Sequence, residues 1–351
     1  MLKLTEILRT GFFGVATGVF FLTAACTPSV KDADESEEDL PAVCDAPTAD
    51  DIRLTQIAAP SGVGSGSPSS DGPGVRRILL ATSSDGVNFT RSSKLLSDQA
   101  NTPNMVVDSD GRILIYYTAY DIDPSASSSD GSNQDGIAVA VSEDQGVSWK
   151  YYCVGMSGFA ASRPPIGDPD VVKLTDGSYR MFVTNGDSSG NINIYSATSA
   201  DGLSFVYEGL ALNTGSHNYK DSLTVKMGSQ WIMYLLRSDT TQNLRATSSD
   251  GITFTLGADE TFSMTVGSVS ELFVLSNWFK TSSSVRVFAF SGATKDIRSY
   301  TTTNGSTFTA DTTVSLGLPL DSTLEKSWVK DAAVQQLADG TYLMAYVSEI
   351  P

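Results

Sequence analysis

One short phrase recurs along this chain and limits what the chain can fold into. It reads "SSDGVNFT" at 83–90, "SADGLSFV" at 199–206 and "SSDGITFT" at 248–255, with looser copies "SEDQGVSWK" at 142–150 and "TTNGSTFT" at 302–309. Its Asp or Asn falls at Asp85, Asp144, Asp201, Asp250 and Asn304, in steps of 59, 57, 49 and 54 residues. A period of this size signals a propeller or a solenoid, because one repeat alone cannot bury its apolar faces. Each copy is flanked by short alternating runs such as "IAVAVS" and "INIYSATS", so each is the turn of a β-hairpin.

A second hairpin unit lies between the copies. It reads "NMVVDSDGRILIYYTAY" (104–120), "DVVKLTDGSYRMFVTN" (170–185), "DSLTVKMGSQWIMYLLR" (221–237), "ELFVLSNWFKTSSSVRVFAFSG" (271–292) and "DAAVQQLADGTYLMAYVS" (331–348). Pairing the two kinds in chain order gives four-stranded antiparallel sheets, the blades of an all-β, five-bladed β-propeller. The chain opens on one kind (76–97) and stops on the other (331–348), so the termini are expected to share the last blade. That arrangement removes the open seam a ring would otherwise have.

Within the phrase, the carboxylate can accept backbone N–H bonds and the glycine supplies a positive φ. The aromatics Phe89, Trp149, Phe205, Phe254 and Phe308 are placed to pack between neighbouring sheets. The phrase resembles the Asp-box of sialidases, most closely in "SEDQGVSW". The resemblance implies a structural turn on the outer rim, so the repeat is read as punctuation without chemistry.

The ends of the chain set the context. Lys3 and Arg9 precede the apolar run "GFFGVATGVFFLTAAC", which is too short to span a bilayer and reads as a secretory signal over 1–25. "LTAAC" resembles a bacterial lipobox, with Cys26 as the lipidated residue, which implies an exported protein held on the cell envelope. Residues 26–74 are acidic and then rich in Gly and Ser, and read as a tether before the propeller at 75–351. Cys44 and Cys153 are the two remaining cysteines, and an oxidising compartment favours their pairing. A net charge of −17 argues against nucleic-acid binding. The only histidine is His217, so a His-rich metal site is excluded; no cofactor and a monomeric state are expected.

In a propeller the inner strands open at the channel mouth. Here they open on "NTPNMVV", "GDPDVV", "NYKDSL", "VSELFV" and "VKDAAV". Asp is disfavoured in strands, so Asp168, Asp170, Asp221, Glu271 and Asp331 at corresponding places suggest a carboxylate-lined pocket. Asn104, Arg163 and His217 lie where they could reach a ligand. With five blades and these inner strands, residues 75–351 resemble the arabinanase, levansucrase and invertase superfamily, which includes glycoside hydrolase family 43. That resemblance implies three carboxylates from successive blades. Asp168 would be base or nucleophile, Asp221 would assist, and Glu271 would be the acid. The first inner strand departs from the family pattern, with Thr102, Pro103 and Asn104 where an Asp is usual.

Two function classes follow. One is an exported, membrane-anchored glycoside hydrolase-like protein acting on glycans, furanosides among them. The other is a surface-anchored propeller that binds carbohydrate or protein without catalysis. A sialidase would call for six blades and three converging arginines, and the sequence shows neither.

Overall fold

The computed structural model describes residues 40, 44, 55–63, 72–123, 134–159, 166–186, 191–213, 217–237, 242–261, 264–266, 269–271, 273–290 and 294–351, with only the backbone described at 242, 258–261, 264–266, 269–271 and 312–313. These residues belong to one compact unit, Glu37–Pro351. They form five multi-stranded sheets and one short two-stranded hairpin.

Blade I runs outward as Ala100–Val107, Ile113–Ala119, Gly136–Ser142 and Lys150–Cys153. Blade II is Gly167–Lys173, Tyr179–Gly186, Ile192–Ser199 and Ser204–Leu212. Blade III is Tyr219–Met227, Gln230–Arg237, Gln242–Ser248 and Thr255–Thr261. Blade IV is Val274–Lys280, Val285–Phe290, Ile297–Thr302 and Thr309–Leu316. Blade V takes its inner strands from the end of the chain, Val329–Gln336 and Tyr342–Glu349, and its outer strands from Arg76–Ser83 and Thr90–Asp98. The expected sharing of a blade by the two ends is therefore what the fold does, with Arg76–Ser83 fully paired to Tyr342–Glu349.

Two blades exceed four strands. Gln56–Ile57 adds antiparallel to the outer strand of blade I, with Ile57 fully buried, and Gly155–Ser157 adds parallel to the outer strand of blade II. The Cys44–Cys153 disulfide, with its Cα atoms 5.8 Å apart, ties Cys44 to the end of the blade I outer strand.

The strands are apolar on both faces because each blade is sandwiched between two others. In Arg76–Ser83, Ile78 and Leu80 enter the core shared with blade I, while Leu79 and Ala81 enter the core shared with blade IV. This is the period-2 alternation of a strand feeding two seams. Each of the five seams holds one such core, so the ring is closed by packing as well as by strand pairing.

The repeated phrase builds the turn expected of it. Ser83 Oγ donates to Asp85 Oδ1 and accepts from the Gly86 N–H, while Asp85 Oδ1 accepts from the Val87 and Asn88 N–H groups at 2.8 Å each. The Asn88 side chain and backbone hold the Asp85 carboxyl well below the usual carboxylate range. The same bonds recur at Ser142/Asp144, Ser199/Asp201, Ser248/Asp250 and Thr302/Asn304. The aromatics cross the seams: Phe89 packs on Phe288, Phe205 on Tyr116, Phe254 on Phe182 and Phe308 on Tyr234. Each turn ends the third strand of its blade. It therefore lies on the face opposite the one where the inner strands enter.

The turn glycines are needed for space as well as for φ. Gly251 has φ +73°, and a Cβ there would meet the Trp231 ring at 2.6–2.8 Å. Gly111 has φ +89° but open space around it. Gly251→Ala is therefore expected to destabilise the ring by about 2–3 kcal/mol, combining strain and overpacking, while Gly111→Ala loses only the smaller strain component. Thermal melts of the two variants side by side check this; equal losses would show that the contact with Trp231 contributes nothing.

Candidate functional site

A β-strand has no reason to aim a carboxylate down a channel, and a regular inner strand would send successive side chains into the two seams. All five inner strands break that regularity with one extra residue. The register shifts between Asn101 and Asn104 in blade I, between Gly167 and Asp170 in blade II and between Lys220 and Leu223 in blade III. In blade IV it shifts between Leu275 and Asn277, and in blade V between Lys330 and Ala333. These are β-bulges, which re-aim a side chain and recur beside functional sites.

Four of the bulges hold a non-glycine residue at positive φ: Thr102 at +48°, Asp168 at +54°, Asp221 at +54° and Asp331 at +46°. Asp tolerates this region better than most residues, whereas β-branched Thr does not, so the backbone at Thr102 is strained. The bulge residues Thr102, Asp168, Asp221, Ser276 and Asp331 line one pocket at the channel mouth, together with Pro103, Pro169, Ser222, Val274 and Leu275. The pocket is narrow, with a cavity volume of about 30 Å³, and it opens to solvent.

Among the described residues, three carboxyl groups thus share the pocket. Burial pushes the Asp221 carboxyl well above the usual carboxylate range, and the negative charges of Asp168 and Asp331 push it further. Lys220 and Lys330 oppose the shift. Asp221 keeps some contact with the pocket, but the narrow space around it admits little water, so desolvation dominates. Asp331 is buried and ion-paired, with the Lys330 Nζ 3.1 Å from Oδ2.

Of the remaining candidates, those whose side chains are described, Asn104, Asp170 and His217, stand outside this lining. Glu271 ends the short hairpin Met264–Val266/Val269–Glu271, which precedes the blade IV inner strand, and its side chain is outside the described residues. The position in blade IV that corresponds to Asp168 and Asp221 is Ser276. Asn104 is buried, and its Oδ1 accepts the Val171 N–H of the next blade. Asp170 is 1% exposed and faces the Thr224 hydroxyl and N–H across the seam to blade III. His217 stands at the mouth edge of blade III, where its Nδ1 lies 2.6 Å from Arg237 and its ring stacks near Tyr219. Arg163 and Cys26 fall outside the described residues. No cluster of three or more His, Cys, Asp or Glu side chains suited to a metal occurs among the described residues.

Two features of the site are not visible as motifs. The bulges leave no pattern of their own, although Pro103 and Pro169 directly after Thr102 and Asp168 mark breaks in those strands. The lysine beside Asp331 escapes because neighbours along a regular strand point to opposite faces. The dipeptide Lys-Asp at both 220–221 and 330–331 is the signal that could have found it.

No family model matches the chain, and no curated protein is a significant relative. Solved structures do match. A thermostable family-43 glycoside hydrolase superposes with a TM-score of 0.55 at 12% identity, over 71% of this chain and 88% of that one. A family 117 glycoside hydrolase, Zg3597 from Zobellia galactanivorans, gives a TM-score of 0.50 at 14% identity, over 84% and 89%. A β-1,2-mannobiose phosphorylase from Listeria innocua gives 0.50 at 13% identity, over 72% and 89%. The chain shares the five-bladed propeller fold with these structures. At these identities the likeness is one of fold, and it spans hydrolases and a phosphorylase, so the chemistry has to be argued from the site.

Proposed function

We propose that this protein is an exported glycoside hydrolase that takes a terminal sugar of a glycan into the channel mouth. The observation that carries the reading is the convergence of Asp168, Asp221 and Asp331 on one pocket, where burial and the neighbouring charges push the Asp221 carboxyl towards its protonated form. Glycoside hydrolysis needs one carboxyl that keeps its proton and one that is ionised. Asp221 would give its proton to the leaving glycosidic oxygen as the bond to the anomeric carbon breaks. An ionised carboxylate opposite would take a proton from the attacking water or attack the anomeric carbon itself. The Cys44–Cys153 bridge supports export, because such bonds persist in oxidising compartments. Lipidation at Cys26 and furanosides as the substrate class follow from the resemblances stated above and form part of the same proposal.

A second reading has one observation in its favour. Blade I presents Thr102 in its bulge, where the hydrolases resembled here have a carboxylate, so the pocket is also suited to holding a sugar without cleaving it. One experiment separates the two. The soluble body is incubated with nitrophenyl glycosides, including arabinofuranosides, and with polysaccharides, and products are followed alongside calorimetric binding. Hydrolysis of a member of the panel is the expected result. Saturable binding without product favours the binding propeller, and neither binding nor product sinks both.

A further inference from the structure

In a regular strand, Lys330 and Asp331 would point to opposite faces. The bulge and the positive φ of Asp331 bring them together instead, with Nζ 3.1 Å from Oδ2 and both side chains nearly closed to solvent. The ammonium is held in place by two rings, its Nζ 5.3 Å from the centroid of Trp328 and 5.9 Å from that of Phe290. A cation over aromatic faces in a desolvated site is fixed in position. Lys220, which precedes Asp221 in the same way, is more exposed.

We propose that Lys330 is a positioning residue of the pocket: caged by Trp328 and Phe290, it keeps Asp331 ionised and makes Asp331, on the blade closed by the two chain ends, the anionic partner of Asp221. This deepens the proposed function and rests on it only for the role of Asp331 towards sugar. The charged groups that meet here are Asp168, Asp221, Asp331, Lys220 and Lys330, with Arg76 stacked on Trp328, its Cζ 4.9 Å from the ring centroid. Of these, Lys330 acts on both Asp331 and Asp221. Its positive charge favours the anion on the first and limits the upward shift of the second. The pocket therefore holds a fixed carboxylate opposite a protonated one, without a second free proton between them.

The test is the titration of the carboxyl carbons by NMR in the intact protein, assigned with Asp331→Asn and Asp221→Asn. In Lys330→Met the apparent pKa of Asp331 is expected to rise by about 1–3 units, the range for losing a close cation, and that of Asp221 to rise as well. Lys330→Arg should restore both. Trp328→Leu keeps the charge and loosens the cage; it should give a partial shift and provides the answer if Lys330→Met does not fold. Unchanged Asp331 titration in Lys330→Met, or an arginine variant that titrates like the methionine one, overturns the proposal. Because the readout needs no substrate, a shift seen in a protein that cleaves no glycan upholds the role of Lys330 and refutes hydrolysis alone.

Discussion

Asp221→Asn is expected to lower glycoside turnover by about 10²–10⁴-fold, the usual cost of removing a general acid, and at the same time to make the fold more stable above about pH 5. Both halves come from one cause. The Asp221 carboxyl is desolvated at the base of the pocket and faces the charges of Asp168 and Asp331, so the folded protein keeps its proton. The unfolded chain releases that proton at the ordinary carboxylate pKa. A folded value above the unfolded one contributes most below the unfolded pKa and loses stability as pH rises towards the folded value. Asparagine never carries the charge, so the decline disappears. It also tolerates the φ of +54° that an alanine would strain.

Activity lost together with stability gained marks a residue kept for function at the expense of the fold. A merely structural residue would lose both. The measurements are kcat/KM on whichever glycoside the panel yields, and thermal melts at pH 5 and pH 8. Full activity in the variant removes Asp221 from the mechanism. A lower melting temperature at both pH values removes the desolvation argument.

Much of the architecture is legible before any coordinates. The phrase at 83–90 and its four copies fix the blade count, and the mismatch between the first and last hairpins fixes the closure. Both signals are local hydrogen-bonding chemistry repeated at a long period, which a sequence preserves in full. The site is less legible because it depends on where one extra residue sits in each inner strand. In "SELFVLSNWFK" the apolar residues divide evenly between the two registers, Leu272, Val274 and Trp278 on one and Phe273, Leu275 and Phe279 on the other, so nothing in the pattern distinguishes an inner strand opening at Glu271 from one opening at Val274 with its bulge at Ser276. In "GDPDVV" two aspartates lie two apart, and periodicity alone puts both on one face. The bulge separates them: Asp168 lines the pocket, and Asp170 turns into the seam.

That separation leads to Asp170→Asn, which is expected to stabilise the ring strongly without touching the pocket. Asn104 in blade I and Asn277 in blade IV each follow a bulge, and each accepts an inner-strand N–H of the next blade, from Val171 at 3.1 Å and from Val334 at 2.8 Å. Asp170 follows the bulge in blade II and faces Thr224, the equivalent residue of blade III. A carboxyl stands where two other blades use an amide. Burial pushes it up to about 8, and the Thr224 hydroxyl and N–H only partly oppose that shift. Between its unfolded pKa near 4 and its folded value near 8, the chain loses stability with every unit of pH. The ceiling at pH 7 is about 4 kcal/mol, from about 1.4 kcal/mol for each unit of difference. Asparagine has the same shape and can offer its oxygen to the Thr224 N–H and its NH₂ to the Thr224 hydroxyl, so the exchange removes the charge without emptying the seam. The melting temperatures of the two proteins should coincide near pH 4 and separate as pH rises to 8, with the variant higher. Parallel curves across that range would mean that Asp170 is ionised in the folded ring, and a variant that is less stable at pH 8 would mean that the carboxylate itself holds blades II and III together.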